Sequence, residues 1–134
     1  MPSVIDVEGI GPKYGEKLKK IGIATSDMLL KKGATPKGRQ EIARASGISN
    51  DLILHWVNFV DLYRIKGVGS EYSQLLEKAG VDTVVELAKR IPENLVAKIT
   101  EINKVKKLVR RMPTLKEAKS WIAQAKKLPR VISY

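Results

Sequence analysis

Two short glycine-containing segments have the residue types needed to hold a phosphate group. They are Val7-Glu8-Gly9-Ile10-Gly11 and Ile65-Lys66-Gly67-Val68-Gly69, and a predicted helix follows each. Glycine adopts backbone angles that are closed to other residues, and it lets a second backbone approach closely. The start of a helix adds free N–H groups and the positive end of the helix dipole. Such a segment can hold a phosphate backbone without reading base identity, although it can equally serve only to join two helices tightly.

The residues around the glycines distinguish the two segments. Ile10 and Val68 are expected to turn inward and to anchor the loops to the core. Lys13 places a cation beside the first glycine pair, whereas Ser70-Glu71 places a carboxylate beside the second. Because a carboxylate repels phosphate, the first segment is predicted to be the better phosphate site.

Basic residues crowd into the later part of the chain. Between residues 104 and 130 only Glu117 is acidic, and the local net charge is +9 from ten cations: Lys104, Lys106, Lys107, Arg110, Arg111, Lys116, Lys119, Lys126, Lys127 and Arg130. A solvated helix face usually balances its charges, so this surplus favours a polyanion site over simple solvation. The residues assigned to that site are Lys104, Lys107, Arg110 and Arg111.

If residues 104–112 form a helix, the charges of this basic segment are separated from its apolar residues. Its first face would then carry Lys104, Lys107 and Arg111, and its second face would carry Val105, Leu108 and Met112. The cations could therefore face solvent without disturbing the core.

The charge of the whole chain agrees with that assignment. The 134 residues carry a net charge of +11, with 10 Lys/Arg and 7 Asp/Glu in residues 1–64 but 15 and 7 in residues 65–134. Such a surplus attracts polyanions, although small basic proteins without this role exist. A content of 43% hydrophobic and 29% charged residues is typical of a globular chain. One compact domain over residues 1–134 is expected at this length.

Metal and redox chemistry have few candidate residues. The chain has no cysteine, which excludes disulfides, thiolate zinc sites and cysteine nucleophiles. His55 is the one histidine and is expected to be structural or exposed. No catalytic motif can be identified, so a non-catalytic protein is expected.

Four aromatic residues are of the type that stacks on nucleic-acid bases. They are Tyr14, Trp56, Tyr72 and Trp121. Their phase on the predicted helices favours burial over stacking.

The sequence repeats itself at a shift of 58 residues. The shift brings residues 7–23 onto residues 65–81, with both glycine pairs, both tyrosines, and Gly22 with Gly80 in register. Trp56 and Trp121 correspond at a shift of 65, so the second copy holds about seven extra residues near Asn103 to Pro113. Two repeats are therefore predicted, over residues 1–63 and 64–134.

Helix signals run through both halves, and no segment alternates long enough to predict a strand. Pro12 suits a first helical position, and Gly22 ends that helix. Thr35-Pro36 predicts a helix start whose end is Gly47, and Ser49 or Asn50 can cap the next helix. The fold class predicted is all-α.

The last predicted helix begins with a capping box. Thr114-Leu115-Lys116-Glu117 has the required spacing. The buried face predicted behind it consists of Leu115, Ala118, Trp121, Ile122 and Ala125. Residues 130–134 are expected to be extended.

The segments Glu8-Gly9-Ile10-Gly11-Pro12-Lys13-Tyr14 and Lys66-Gly67-Val68-Gly69-Ser70-Glu71-Tyr72 resemble the hairpin of the helix-hairpin-helix superfamily. Over nearly its full length the chain is also similar to an uncharacterised prokaryotic family, a domain of unknown function with two such motifs. The resemblance implies a SAM-like, tandem helical fold and sequence-independent DNA binding through hairpin amides. In some members of the superfamily hairpin carbonyls also bind a monovalent cation, and no other cofactor is expected. The chain departs from the usual pattern at Tyr14 and Tyr72, where a small residue is common.

These observations predict a module that binds nucleic acid through Gly9, Ile10, Gly11, Lys13, Gly67, Val68 and Gly69 together with the basic segment. The alternative is a protein-interaction or scaffolding module whose hairpins are structural corners. Residues 1–6 show no basic segment followed by an apolar core, and no apolar run approaches the roughly 20 residues that span a bilayer. A cytoplasmic protein without a membrane partner is expected.

Overall fold

The structure, a computed structural model, describes residues 3–134. Within them the chain forms a 3-10 turn at Val4–Asp6 and eight α-helices: α1 Gly11–Lys20, α2 Ser26–Lys32, α3 Pro36–Ser46, α4 Asn50–Leu62, α5 Ser70–Lys78, α6 Val84–Ala88, α7 Pro92–Lys106 and α8 Leu115–Lys127. The β-type pairing in these residues is one isolated bridge between Ser3 and Thr25. The predicted all-α class is confirmed.

The chain divides into two compact units. Within the described residues, unit 1 runs to Asp61 and also takes in Val131–Tyr134, and unit 2 is Leu62–Arg130. The sequence placed a repeat boundary between residues 63 and 64, close to the boundary between the units. It assigned the tail to the second repeat, whereas the structure groups residues 131–134 with unit 1.

The helix ends in unit 1 follow the predicted capping chemistry. The Thr35 hydroxyl accepts a hydrogen bond from the Gly38 amide at 3.0 Å, and Pro36 occupies the first position of α3. Gly47 ends α3 with a φ of 75°. Of the two residues considered for the cap of α4, Ser49 provides it, because its hydroxyl accepts from the Leu52 amide at 3.2 Å.

The start of α8 is also as predicted. Thr114 accepts from the Glu117 amide at 3.1 Å, while the Glu117 carboxylate accepts from the Thr114 amide at 3.0 Å. The predicted buried face is confirmed for Ala118, Trp121, Ile122 and Ala125, but Leu115 is exposed. Leu115 is the first residue of α8, and the buried face of this helix begins three residues later, at Ala118.

The helix considered over residues 104–112 does not form as one continuous element. Helix α7 ends at Lys106, and Lys107 follows in the left-handed conformation with a φ of 51°. The Asn103 side chain causes the reversal, since its Oδ1 accepts from the Val109 amide and its Nδ2 donates to the Val109 carbonyl, both at 3.1 Å. Val105, inside α7, is 78% exposed, and Lys104, Lys107 and Arg111 do not share a helix face.

Unit 2 is built around one hydrophobic core. The core combines the last residue of α4, residues from α5, α6, α7 and α8, and apolar residues from the connections between these helices. They are Leu62, Ile65, Val68, Leu75, Leu76, Ala79, Val81, Val84, Leu87, Leu95, Ile99, Val109, Trp121, Ile122 and Ala125. Leu108 and Met112, partly buried, pack against it. The non-helical segment after Lys106 is therefore fixed to the core by its apolar residues.

The tail after residue 130, which was predicted to be extended, is held in unit 1 by hydrogen bonds to Arg39 and Ala34. The Arg39 side chain, in a residue only 4% exposed, donates to the carbonyls of Gly33 at 2.9 Å and Ser133 at 2.8 Å. The Ser133 amide donates to the Ala34 carbonyl at 2.8 Å. Ile132 is buried. The guanidinium also lies 5.9 Å from the ring centre of Tyr134.

Replacing Arg39 with alanine is expected to lower the free energy of unfolding by about 2–4 kcal/mol, because each carbonyl left unpaired costs about 1–3 kcal/mol. Urea unfolding followed by circular dichroism measures the loss. Arg44→Ala is the matched control, since Arg44 is exposed on the same helix and its removal should change stability by about 0.5 kcal/mol or less. Equal effects of the two variants would contradict the role assigned to Arg39.

Candidate nucleic-acid interface

The first hairpin, residues 9–11, has an exposed backbone and an inward anchor. Gly9 has a φ of 89° and Gly11 a φ of 63°, both in the region that favours glycine. Ile10 is buried, as predicted, and its amide donates to the Val7 carbonyl at 3.0 Å. A Cβ placed on Gly11 would meet no atom within 4 Å, so the loop faces open space on that side.

The second hairpin, residues 67–69, repeats this arrangement with one difference. Gly67 has a φ of 98°, and Val68 is buried with its amide donating to the Ile65 carbonyl at 3.1 Å. Gly69 has a φ of −109°, which any residue can adopt, and a Cβ there would meet no atom within 4 Å. The second glycine of this hairpin is therefore not required by backbone conformation.

A tryptophan lies beneath each hairpin. A Cβ on Gly9 would lie 3.3 Å from the indole nitrogen of Trp56, and one on Gly67 would lie 3.1 Å from that of Trp121. Tyr14 packs against Trp56 at 5.1 Å between ring centres, and Tyr72 against Trp121 at 5.4 Å. Both tryptophans are buried, so the prediction of burial is confirmed for them and they cannot stack on bases. Tyr14 and Tyr72 are half-buried.

Alanine at the two glycines of the second hairpin is expected to have unequal effects. Gly67→Ala should lower the free energy of unfolding by about 1–3 kcal/mol, because it strains the backbone and crowds Trp121. Gly69→Ala should cost about 0.5 kcal/mol or less, since its φ and its surroundings accept a methyl group. Urea unfolding of both variants tests this, and a Gly69→Ala loss as large as that of Gly67→Ala would contradict it.

The helices that follow the hairpins begin without a side-chain cap. Among the described residues, no side chain accepts a hydrogen bond from the first turn of α1 or α5. The first-turn N–H groups and the positive dipole end can therefore act on an anion. Lys13 lies exposed in the first turn of α1, and Glu71 lies exposed in the first turn of α5.

The segment of residues 107–113, here the basic loop, lies beside the first turn of α5. The Tyr72 hydroxyl donates to the Arg111 carbonyl at 2.9 Å. Lys107, Arg110 and Arg111 are exposed on this loop, and Lys104 is exposed in the last turn of α7. The Tyr72 side chain thus links the basic loop to the helix that follows the second hairpin, the hairpin that the sequence ranked below the first.

Arg111 differs from the other cations of the predicted site because it has an acidic partner. Its guanidinium donates two hydrogen bonds to the Glu117 carboxylate, at 2.8 and 2.7 Å. These bonds, together with the bond from the Thr114 amide, lower the pKa of Glu117 to about 2 from its ordinary 4.5. The same pair raises the pKa of Arg111. Arg111 therefore holds the start of α8, and Lys104, Lys107 and Arg110 are the freer cations.

Glu117 is expected to titrate with a midpoint near 2 in carbon-detected NMR, and Arg111→Ala should move that midpoint toward 4.5. Because the folded-state pKa is depressed, the stabilisation from this carboxylate is complete above pH 4.5 and is lost as the pH falls toward 2. A midpoint that is the same with and without the arginine would show that Arg111 is not the cause.

Gln124 is a site residue that the sequence did not reveal. Its amide oxygen accepts from the Lys66 amide at 2.8 Å, and its amide nitrogen donates to the Lys66 carbonyl at 3.1 Å. One side chain of α8 therefore holds the backbone at the entry to the second hairpin. No sequence signal marks this pairing, since a glutamine on a helix surface is ordinary and its partner lies 58 residues away.

The remaining predictions concern metals and membranes. His55 is exposed, as expected, with its ring 4.7 Å from that of Phe59. Residues 3–134 contain no cluster of three or more His, Asp or Glu side chains that could hold a metal ion. None of the described helices combines the length and apolar character needed to cross a bilayer.

These features define an all-helical protein with two exposed glycine hairpins and a cationic loop beside the second. The chain belongs to the family described as a domain of unknown function, DUF4332, whose model matches residues 8–128. No curated protein and no solved structure matches the chain. The wider resemblance to helix-hairpin-helix proteins stays a prediction.

Proposed function

We propose that this protein is a non-catalytic module that binds nucleic acid, and DNA in particular, through the sugar-phosphate backbone and without sequence preference. The observation that carries the proposal is the Tyr72–Arg111 hydrogen bond, which joins the basic loop to the first turn of the helix that follows the second hairpin. The uncapped start of α5 and the exposed cations of the loop thus belong to segments of unit 2 that are in contact.

The cations of this surface are available to a ligand. Lys104, Lys107 and Arg110 are exposed and form no ion pair with any residue that the structure describes. Cations on such a surface displace counterions from nucleic acid, so the logarithm of the binding constant falls with log salt by about 0.9 per phosphate contacted on duplex DNA. Glu71 opposes an anion at the start of α5, so the loop cations must supply most of the attraction.

The first hairpin offers a second phosphate contact within unit 1. Its helix start has no side-chain cap, and Lys13 is exposed in the first turn of α1. Contacts of this kind involve backbone amides and a lysine rather than base edges, so they discriminate little between sequences.

Binding of a fluorescent duplex at about 50 and about 200 mM salt tests the proposal. We expect a Kd of about 1 μM or lower at the lower salt concentration, a steep loss at the higher one, and similar values for duplexes of unrelated sequence. The same assay with single-stranded DNA and RNA identifies the preferred form. No binding at the lower salt concentration would refute the proposal.

A protein-interaction module is the second candidate, and Gln124 favours it. This side chain occupies both the amide and the carbonyl of Lys66, as expected of a hairpin that serves as a rigid corner. A specific protein partner that is retained after nuclease treatment, together with no salt-dependent duplex binding, would establish this function instead.

A further inference from the structure

A cavity of about 480 Å³ lies in unit 2 between the end of α5 and the start of α7, away from the second hairpin. We call it the Gly80 pocket. Its lining residues are Ala79, Gly80, Lys89, Arg90, Ile91, Asn94, Leu95 and Lys98. The second hairpin precedes α5, so the pocket lies at the opposite end of that helix. The volume is within the range of small-molecule sites.

The lining of the Gly80 pocket is cationic. It includes Lys89, Arg90 and Lys98 and no acidic residue. Glu86, outside the lining, reduces this charge, since its carboxylate lies 3.5 Å from the Lys89 amine and 3.5 Å from the Arg90 guanidinium. Lys98 forms no ion pair with any residue in the described part of the chain. A positive charge is left without compensation inside a concave site.

Arg90 is held in place at this pocket. Its Nη2 donates to the Gly80 carbonyl at 3.0 Å and lies 3.5 Å from the Glu86 carboxylate. No residue that the structure describes bonds to its Nη1 or Nε, which a ligand oxygen can therefore reach. A guanidinium fixed in this way is suited to a phosphate, because its donors match the geometry of the oxygens. The Asn94 side chain adds an amide to the same lining.

One wall of the pocket is apolar. Ile91 is 57% exposed, unlike most large apolar residues of the chain, and Leu95 and Ala79 are buried beside it. Such a wall accepts the carbon skeleton that carries a phosphate.

A second cavity, in unit 1, has no net charge in its lining. It is lined by Ile21, which the 58-residue shift aligns with Ala79, and by residues of α3. Its charged lining residues are Lys32 and Glu41, which balance each other, and its volume is about 290 Å³. The unit 1 cavity thus provides a neutral counterpart in the same molecule.

From this geometry we propose that the Gly80 pocket binds a phosphomonoester. Such a group carries a charge of about −1.5 to −2 at neutral pH and has three acceptor oxygens, which suits three cations and an amide better than the single charge of a phosphodiester does. The phosphate can belong to a small phosphorylated molecule or to the end of a nucleic-acid strand. The proposal does not rest on the nucleic-acid function, because it concerns other residues and a ligand that need not be a polymer.

Titration of the labelled protein by NMR tests the small-molecule source. Inorganic phosphate and adenosine 5′-monophosphate are expected to shift the amides of Gly80 and of residues 89–98, and adenosine is not. Lys98→Glu should weaken this binding at least about tenfold, the effect of losing one hydrogen bond to a charged group. Lys31→Glu, an equal charge change at an exposed residue outside both cavities, should leave it unchanged.

A second arm compares single strands that carry a 5′-phosphate or a 5′-hydroxyl and a fluorophore at the other end. A preference of about tenfold for the phosphate, lost in Lys98→Glu, would support the pocket and identify a strand end as its ligand. Circular dichroism verifies that each variant folds, and Lys89→Glu replaces Lys98→Glu if the latter does not.

Each outcome of the two arms either supports or overturns the phosphomonoester site. Phosphate-dependent binding in either arm that Lys98→Glu removes supports the proposal. No phosphate-dependent effect in either arm overturns it, as does an effect that persists in Lys98→Glu and Lys89→Glu. The first arm contains no polymer. Failure of the duplex assay would therefore refute nucleic-acid binding and leave the proposal of a phosphomonoester site unaffected.

Discussion

Replacing Lys107 and Arg110 with glutamate is expected to weaken duplex binding at least about 100-fold at about 50 mM salt. Each cation that contacts a phosphate contributes about 1.5–3 kcal/mol through a charged hydrogen bond, so losing two contacts alone accounts for this factor. The reversed charges add repulsion. Both residues are exposed, so the fold should be unaffected.

The alanine versions of the same two residues provide a more specific measurement. If each cation contacts one phosphate, Lys107→Ala and Arg110→Ala together should reduce the slope of log K against log salt by about 1.8. Lys31→Glu with Lys37→Glu is the control for the glutamate pair, because these lysines are exposed in unit 1 and their replacement changes the net charge by the same amount. A control pair that weakens binding as much as the loop pair would show that net charge, not the basic loop, determines affinity.

Replacing Trp121 with alanine is expected to lower the free energy of unfolding of unit 2 by about 3–5 kcal/mol, the usual cost of truncating a buried tryptophan. Trp121 is 2% exposed and supports both Gly67 and Tyr72. Amide hydrogen exchange measures the loss within unit 2, and the hairpin amides should become less protected than those of unit 1.

Trp56→Ala is the counterpart of Trp121→Ala, because Trp56 supports Gly9 and Tyr14 in the same way within unit 1. It should destabilise unit 1 to a similar extent. Trp121→Phe retains part of the ring and should cost less than Trp121→Ala. A loss of under about 1 kcal/mol in Trp121→Ala would be inconsistent with a tryptophan that supports the hairpin.

The parts of the fold that could be predicted depend on interactions within a few residues. Thr35, Gly47 and the Thr114–Glu117 box act on backbone groups no more than four positions away, so their spacing alone determines helix ends. The inward turn of Ile10 and Val68 follows equally from an apolar residue between two glycines.

The parts of the fold that could not be predicted depend on hydrogen bonds between residues that are distant in sequence, or on one side chain whose hydrogen bonds end a helix. Asn103 is compatible with a helix, and only its bonds to Val109 show that the chain reverses at Lys107. The Tyr72–Arg111 and Gln124–Lys66 bonds join residues 39 and 58 positions apart. The local geometry of the basic segment and its link to the helix after the second hairpin could therefore not be foreseen from the sequence.

The grouping of residues 131–134 with unit 1 has a consequence for biosynthesis. The segment that contacts Arg39 and Ala34 is synthesised only after all of unit 2 has been translated. Early-made domains commonly fold while translation continues, but in the first unit of this chain the Arg39 donor that bonds to Ser133 has no partner until residues 131–134 are made. Nascent chains arrested after residue 130 should accordingly be digested by protease in unit 1 more readily than chains that include residues 131–134.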